Sequence, residues 1–166
     1  MHLKRIDSDI SLWVDTGPLG AREDISPFIG VRSDQVEDAF QRWLGVPPDK
    51  YVGSFGANVG YVLDGKYRSF NPPATEGDVV DAIDRGLHRY QPFLSLHRLA
   101  EAEAVAGIRD PGRAYRLFVV HALRGDLAAA RTALANAERE YCRHPNAVCE
   151  QFKAFVHRAR LACQGL

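Results

Sequence analysis

The stretch from Tyr51 to Phe70 reads YVGSFGANVGYVLDGKYRSF, and the structure predicted for it determines which elements the rest of the chain must supply. Its centre is Asp64-Gly65, with a short apolar run on each side. Because Asp-Gly tolerates the positive φ angles of a type I′ turn, the pattern predicts a two-residue β-hairpin. An isolated hairpin is marginally stable in water, so we expect it to add further strands and to pack against a helical layer.

The residues before this stretch supply two candidate strands. Apolar and polar residues alternate over much of Leu3 to Val14, which predicts one strand with a single buried face. A compact apolar run follows from Ile25 to Val31 and contains Pro27. Proline cannot donate a ladder hydrogen bond, so this run is either an edge strand or a strand that begins after Pro27.

Helical patterns surround the central stretch on both sides. Ser33 is a suitable N-cap for a helix that ends at Gly45, and its buried stripe consists of Val36, Ala39, Phe40, Trp43 and Leu44. Thr75 followed by Asp78 predicts a capping box at the start of a second helix. A third helix is predicted from Phe93 to Val105.

The C-terminal part reads as helical throughout. Two helices joined at Gly125 predict an antiparallel helical hairpin, and a last helix begins near Pro145. We therefore predict an α+β fold, with a small N-terminal antiparallel or mixed sheet, one packed helix and an all-helical second half. A chain of 166 residues suits a single domain, here with lobes at 1–73 and 74–166.

The charges balance overall but are unevenly distributed. The chain has 21 basic and 21 acidic residues, so it has no net field that would attract nucleic acid or an anionic membrane. Asp7 to Asp49 contains nine acidic and three basic residues, whereas Arg85 to Leu166 contains thirteen basic and seven acidic ones. Either two solvated faces attract one another inside the fold, or an acidic surface is presented to a basic partner.

The N-terminus and the cysteines indicate a cytoplasmic protein. Asp7 and Asp9 interrupt the apolar run that a signal peptide needs, and no segment approaches the roughly 18 apolar residues of a membrane span. All three cysteines follow residue 140 and do not resemble a secreted disulfide framework. We expect them to be unpaired, in a reducing compartment.

No motif predicts a reaction. Gly60 to Lys66 has the glycine and lysine spacing of a phosphate-binding loop, but Tyr67 stands where a magnesium-binding hydroxyl is needed. The spacing of Cys142, His144, Cys149 and Cys163 is irregular for zinc, and buried unliganded cysteine is the better interpretation. We expect no catalytic residue, no metal and no cofactor.

Two segments carry a resemblance to a known group of proteins. SPFIGVRSDQVEDAFQRWLG, from Ser26 to Gly45, followed by GANVGYVLDGKY, from Gly56 to Tyr67, resembles small bacterial immunity proteins of polymorphic or contact-dependent growth inhibition toxin systems. RLFVVHALRGDLAAARTAL, from Arg116 to Leu134, is a weaker second block. The resemblance implies a non-enzymatic protein that binds a cognate toxin domain and occludes its active site.

An acidic face of the first helix is the predicted partner-binding surface, because many toxin domains that attack nucleic acids are basic. It consists of Asp34, Glu37, Asp38 and Gln41. One alternative is a small-molecule-binding domain or small enzyme with a pocket between sheet and helices. Another is a helical adaptor or secretion chaperone.

Overall fold

The computed structural model describes residues 3–7, 9–15, 25–47, 49, 53–71, 73–106 and 111–163. The chain forms two compact units, and each combines segments that are distant in sequence. Unit 1 contains residues 1–33 and 53–109, and unit 2 contains residues 34–52 and 110–166. The α+β class predicted from the sequence is confirmed.

Unit 1 contains a four-stranded antiparallel sheet in the order β1-β2-β3-β4. Its strands are β1 (Leu3–Asp7), β2 (Ile10–Asp15), β3 (Phe28–Ser33) and β4 (Phe55–Asn58). The single strand predicted from Leu3 to Val14 is therefore wrong, because a turn at Asp9 folds this segment into the pair β1-β2. Of the two alternatives for the run from Ile25 to Val31, the strand that begins after Pro27 is confirmed. This strand, β3, lies in the interior of the sheet and is not an edge strand.

The predicted hairpin at Asp64-Gly65 is also wrong. After β4 the chain enters helix α2 (Val59–Asp64), and Gly65 follows that helix with φ 72°. The Gly65 N–H donates to the Tyr61 carbonyl oxygen, so the positive φ ends a helix instead of forming a hairpin turn. Tyr51 and Val52, where the predicted hairpin stretch begins, lie outside the described residues.

The Asn58 side chain holds the segment after α2 in place. Its Oδ1 accepts hydrogen bonds from the Gly60 N–H at 3.0 Å and from the Arg68 N–H at 2.8 Å. Its Nδ2 donates to the Arg68 carbonyl oxygen at 2.8 Å. The Asn58 amide therefore caps α2 and also binds the backbone of Arg68. Two residues later, Phe70 forms a β-bridge with Ile25.

The remaining elements of unit 1 are helical. Helix α3 (Glu76–Tyr90) begins with the predicted capping box of Thr75 and Asp78 and packs on β3 and α2. Two short 3-10 turns (Gln91–Phe93 and Leu99–Ala102) and helix α4 (Glu103–Ala106) follow it. The continuous helix predicted from Phe93 to Val105 is wrong, because the described chain interrupts it at residues 94–98.

The described residues of unit 2 form four helices around an aromatic cluster. They are α1 (Asp34–Leu44), α5 (Pro111–Leu123), α6 (Leu127–Tyr141) and α7 (Ala147–Ala162). Gly125, with φ 74°, and the Asp126 cap separate α5 from α6, as predicted. The ring centroid of Tyr115 lies 4.8 Å from that of Phe155 and 4.9 Å from that of Tyr141. Trp43 and Phe40 extend this cluster from α1.

The two units do not coincide with the predicted lobes at 1–73 and 74–166. The apolar stripe of α1 packs on α5 and α7, so α1 belongs with the C-terminal helices. Helix α3, predicted for the helical lobe, packs on the sheet instead. The sequence pattern shows that each stripe is buried, but it carries no information about which element covers it.

Two glycines of α3 provide a matched test of this packing. A Cβ at Gly86 would lie 2.1 Å from Ile29 Cδ1 and 3.3 Å from Val59 Cγ2, whereas a Cβ at Gly77 would have its nearest neighbour at 3.5 Å. Alanine raises helix propensity by about 1 kcal/mol at an interior position such as Gly86, and this value does not carry over in full to Gly77, the second residue of α3. We expect Gly86→Ala to be less stable than Gly77→Ala by about 1–3 kcal/mol in urea unfolding, because of overpacking against the sheet. Equal stability of the two variants would contradict the packing of α3 on β3.

Candidate functional site

The acidic residues predicted as a surface on α1 are divided between the interior and the exterior. Glu37 is fully buried, with 0% of its surface exposed, and Gln41 is also buried. Asp38 is exposed and Asp34 is half-buried. The prediction that all four form one exposed face is therefore wrong for Glu37 and Gln41.

Glu37 is held by an ion pair inside unit 2. Arg116 Nε lies 2.8 Å from Glu37 Oε1, and Arg116 Nη2 lies 3.1 Å from Glu37 Oε2. The guanidinium also lies 4.4 Å from the centroid of the Phe40 ring, so it makes a cation–π contact from its other side. A bidentate, desolvated pair of this kind positions α1 against α5 and is not available to a partner.

Gln41 has a structural role of a different kind. Its Nε2 donates to the Asp49 carbonyl oxygen at 3.1 Å, and its Oε1 accepts from the Asp49 N–H at 2.6 Å. The side chain thereby binds the backbone that follows α1. Arg158 of α7 completes this end of the helix by donating to the carbonyl oxygens of Trp43 and Leu44.

The exposed surface of α3 is a better candidate for partner binding. Glu76, Val80 and Asp84 follow one another at four-residue spacing along one side of the helix, and Asp81 lies near Asp84, three residues before it. All four are exposed, and Val80 is a large apolar side chain with 47% of its surface exposed. We call these four residues the α3 acidic face. The sequence alone missed it, because the same carboxylates read as ordinary solvated charge.

The surroundings of this face are ordered by local interactions. Asp78 accepts hydrogen bonds from the Thr75 backbone N–H at 2.7 Å and from the Thr75 hydroxyl at 2.8 Å. The backbone hydrogen bond, and then the side-chain one, lowers the pKa of the Asp78 carboxyl below its ordinary value, so it stays ionised. Basic residues follow in the last turns of α3, at Arg85, His88 and Arg89.

A surface pocket of about 520 Å³ lies beside the same helix. Carboxylates and guanidinium groups both line it, so a ligand there would meet both signs of charge. The lining residues are Arg68, Ser69, Phe70, Asn71, Ala74, Asp78, Asp81 and Arg85. Arg68 also pairs with Asp64, and the Arg85 Nε donates to the Asp81 carbonyl oxygen.

The cysteines are not all unpaired as expected. Cys142 and Cys149 form a disulfide, and Cys163 is a free thiol. The prediction of buried unpaired cysteine is therefore wrong for the first two residues. Within the described part of the chain, no group of three or more histidine, cysteine, aspartate or glutamate residues could hold a metal ion.

Comparisons with known proteins add no relative. No protein-family model matches the chain, and neither a curated protein nor a solved structure matches it. Among the residues that the structure describes, no helix combines the length and the apolar character that crossing a bilayer requires.

Substitutions of Glu37 and Asp38, which are neighbours on α1, test whether the first is buried and the second exposed. Replacing Glu37 with alanine leaves the Arg116 guanidinium buried without its counter-ion, so we expect the free energy of unfolding to fall by about 3–5 kcal/mol. Asp38→Ala, at the exposed neighbour, should change it by less than about 0.5 kcal/mol. Urea unfolding of both variants measures this difference.

The double variant Glu37→Ala/Arg116→Ala serves as the control for this pair. Removing both partners also removes the unpaired charge, so the double variant should lose less stability than the sum of the two single variants. Additive losses would show that the two side chains act independently.

Proposed function

We propose that this chain is a non-enzymatic immunity protein that binds a cognate bacterial toxin domain and covers the active site of that domain. The observation that supports the proposal best is the α3 acidic face, where the exposed Val80 lies between Glu76 and Asp84 along one side of the helix and Asp81 lies near Asp84. Apolar contact at the centre with charge around it is the usual composition of a protein-binding surface. The resemblance of Ser26–Gly45 and Gly56–Tyr67 to immunity proteins points to the same class.

Rigidity supports this face as a binding surface. An inhibitor binds tightly when its contact residues need little ordering on association. Helix α3 is capped by Thr75 and Asp78 and packs closely on β3 through Gly86 and Ile29. The α3 acidic face is therefore displayed on a preorganised element.

Charge supplies the second requirement of an inhibitor, which is rapid capture. Carboxylates concentrated on one surface attract a basic domain over distances of about a Debye length and raise the association rate. The carboxylates lie in the first three turns of α3 and the basic residues in the last turns. This polarity along the helix would also fix the orientation of the bound toxin domain. Its place of action would be the cytoplasm, where the resemblance puts the toxin's target.

Charge reversal tests the face directly. Glu76→Lys/Asp81→Lys/Asp84→Lys should lower the association rate constant for the toxin domain by about tenfold or more at low salt, because steering is lost. Glu138→Lys/Glu140→Lys on α6 reverses charges at two other exposed positions and should leave the rate nearly unchanged. Stopped-flow or surface-based kinetics measure both variants.

We take the product of the adjacent upstream gene, co-expressed with this chain, as the candidate toxin domain for this measurement. Cells that express that product should stop growing unless this chain is expressed with it, and the two polypeptides should co-purify in a fixed ratio. A folded triple variant that still captures the toxin at the normal rate would exclude the α3 acidic face. Failure of the two products to associate would exclude the proposed function itself.

The pocket beside α3 favours a second candidate function, which is binding of a small zwitterion. Arg68 and Arg85 could contact a carboxylate, while Asp78 and Asp81 could contact an ammonium group. The pocket is large enough for a free amino acid or a dipeptide, since ligand pockets usually measure about 300–1,000 Å³. The sequence alternative assumed a pocket between sheet and helices, whereas this pocket is lined by the segment before α3 and by α3 itself, and none of its lining residues lies in β1–β4.

A panel of free amino acids and dipeptides tests this second candidate. A ligand that binds only the native state raises the melting temperature with its concentration. Arg85→Gln should abolish that increase, whereas Arg89→Gln, an exposed arginine of the same helix outside the pocket lining, should preserve it. No shift with any member of the panel would leave the toxin-binding proposal as the single candidate.

A further inference from the structure

The disulfide of unit 2 lies at the junction between two helices. Cys142 directly follows α6 and Cys149 lies in the first turn of α7, seven positions later. Their Cα atoms are 4.7 Å apart, within the range that a disulfide spans. We propose that Cys142 and Cys149 are a reversible redox site that exchanges with small disulfides of the glutathione class.

Access to the site is asymmetric. Cys142 is half-exposed, whereas Cys149 is 3% exposed. Every residue between them, from Arg143 to Val148, is exposed, so Cys142 lies next to a solvent-exposed segment, whereas Cys149 lies within the packed interior. Arg143 directly follows Cys142, and a cationic neighbour favours the reactive thiolate.

The backbone around both cysteines is held by bonds that do not involve sulfur. The Cys142 N–H donates to the Glu138 carbonyl oxygen at 2.9 Å. The Cys149 N–H donates to Asn146 Oδ1 at 2.9 Å, which caps α7. Both positions therefore keep their geometry when the bridge opens, and the two thiols stay close enough to close it again.

Cys163 does not take part in this exchange. It lies fourteen positions after Cys149 along α7, a distance of about 21 Å at the rise of an α-helix. Burial also raises the pKa of the Cys163 thiol, which lowers its thiolate fraction. The proposed redox site therefore consists of Cys142 and Cys149 without Cys163.

The exchange proceeds in two displacements. The Cys142 thiolate attacks one sulfur of glutathione disulfide, the sulfur–sulfur bond of glutathione breaks, and one glutathione thiolate leaves with the electron pair. The Cys149 thiolate then attacks the Cys142 sulfur in the mixed disulfide and releases the second glutathione thiolate. Two cysteine thiols are oxidised, one glutathione disulfide is reduced to two thiols, and two protons pass to the released thiolates through water.

Equilibration of the full chain in glutathione buffers of graded ratio tests the proposal. Alkylation and intact-mass measurement should show one two-electron transition at Cys142 and Cys149, with Cys163 alkylated throughout. Near-ultraviolet circular dichroism should show native tertiary structure at both ends of the series, because the bridge closes only a short ring. Reduction should lower the melting temperature by roughly 5–10 °C.

Single serine variants separate the roles of the three cysteines. Cys163→Ser should keep the transition, and Cys142→Ser and Cys149→Ser should each lose it. In Cys149→Ser the half-exposed Cys142 should form a mixed disulfide with glutathione, and it should do so faster than the buried Cys149 does in Cys142→Ser. Thiols that stay reduced in pure glutathione disulfide, a bridge that resists reduction until denaturant is added, or loss of native structure on reduction would each overturn the proposal.

Discussion

The ion pair between Glu37 and Arg116 is the constraint on which the organisation of unit 2 depends. It joins α1 to α5 across 79 positions of sequence, with the carboxylate at 0% exposure. A buried charge is tolerated only with a counter-charge and well-aligned hydrogen bonds, so alignments of these two helices that separate Glu37 from Arg116 are disfavoured. The Phe40 ring under the guanidinium and the neighbouring Tyr115 ring then fix how the aromatic side chains meet.

This constraint explains why α1 lies in a unit formed otherwise by the C-terminal helices. Its apolar residues alternate with Glu37 and Gln41, and both polar side chains find their partners in residues 34–52 and 110–166. Arg158 adds a third connection by binding the carbonyl oxygens at the end of α1. The segment between β3 and β4 therefore connects two strands of the sheet in sequence, but its helix packs in the core of unit 2.

Signals that act within a few residues of one another could be predicted from the sequence, and those that need a distant partner could not. The Thr75–Asp78 capping box, the glycines that end α1 and α5, and the start of β3 after Pro27 are all local. Asp64-Gly65 shows the limit of such signals. A glycine with positive φ serves a hairpin turn and a helix end equally well, and the choice depends on the bonds between Asn58 and Arg68.

The same distinction decides which surface can serve a partner. A carboxylate next to an apolar stripe reads as solvated charge, yet Glu37 is buried because Arg116, far along the chain, neutralises it. Glu76, Asp81 and Asp84 are also carboxylates on a helix with an apolar stripe, but they remain exposed on α3. An acidic helix face can bind a partner only where the rest of the protein leaves it exposed. Because Glu37 is buried and the carboxylates of α3 are exposed, we place the proposed interface on α3 and not on α1.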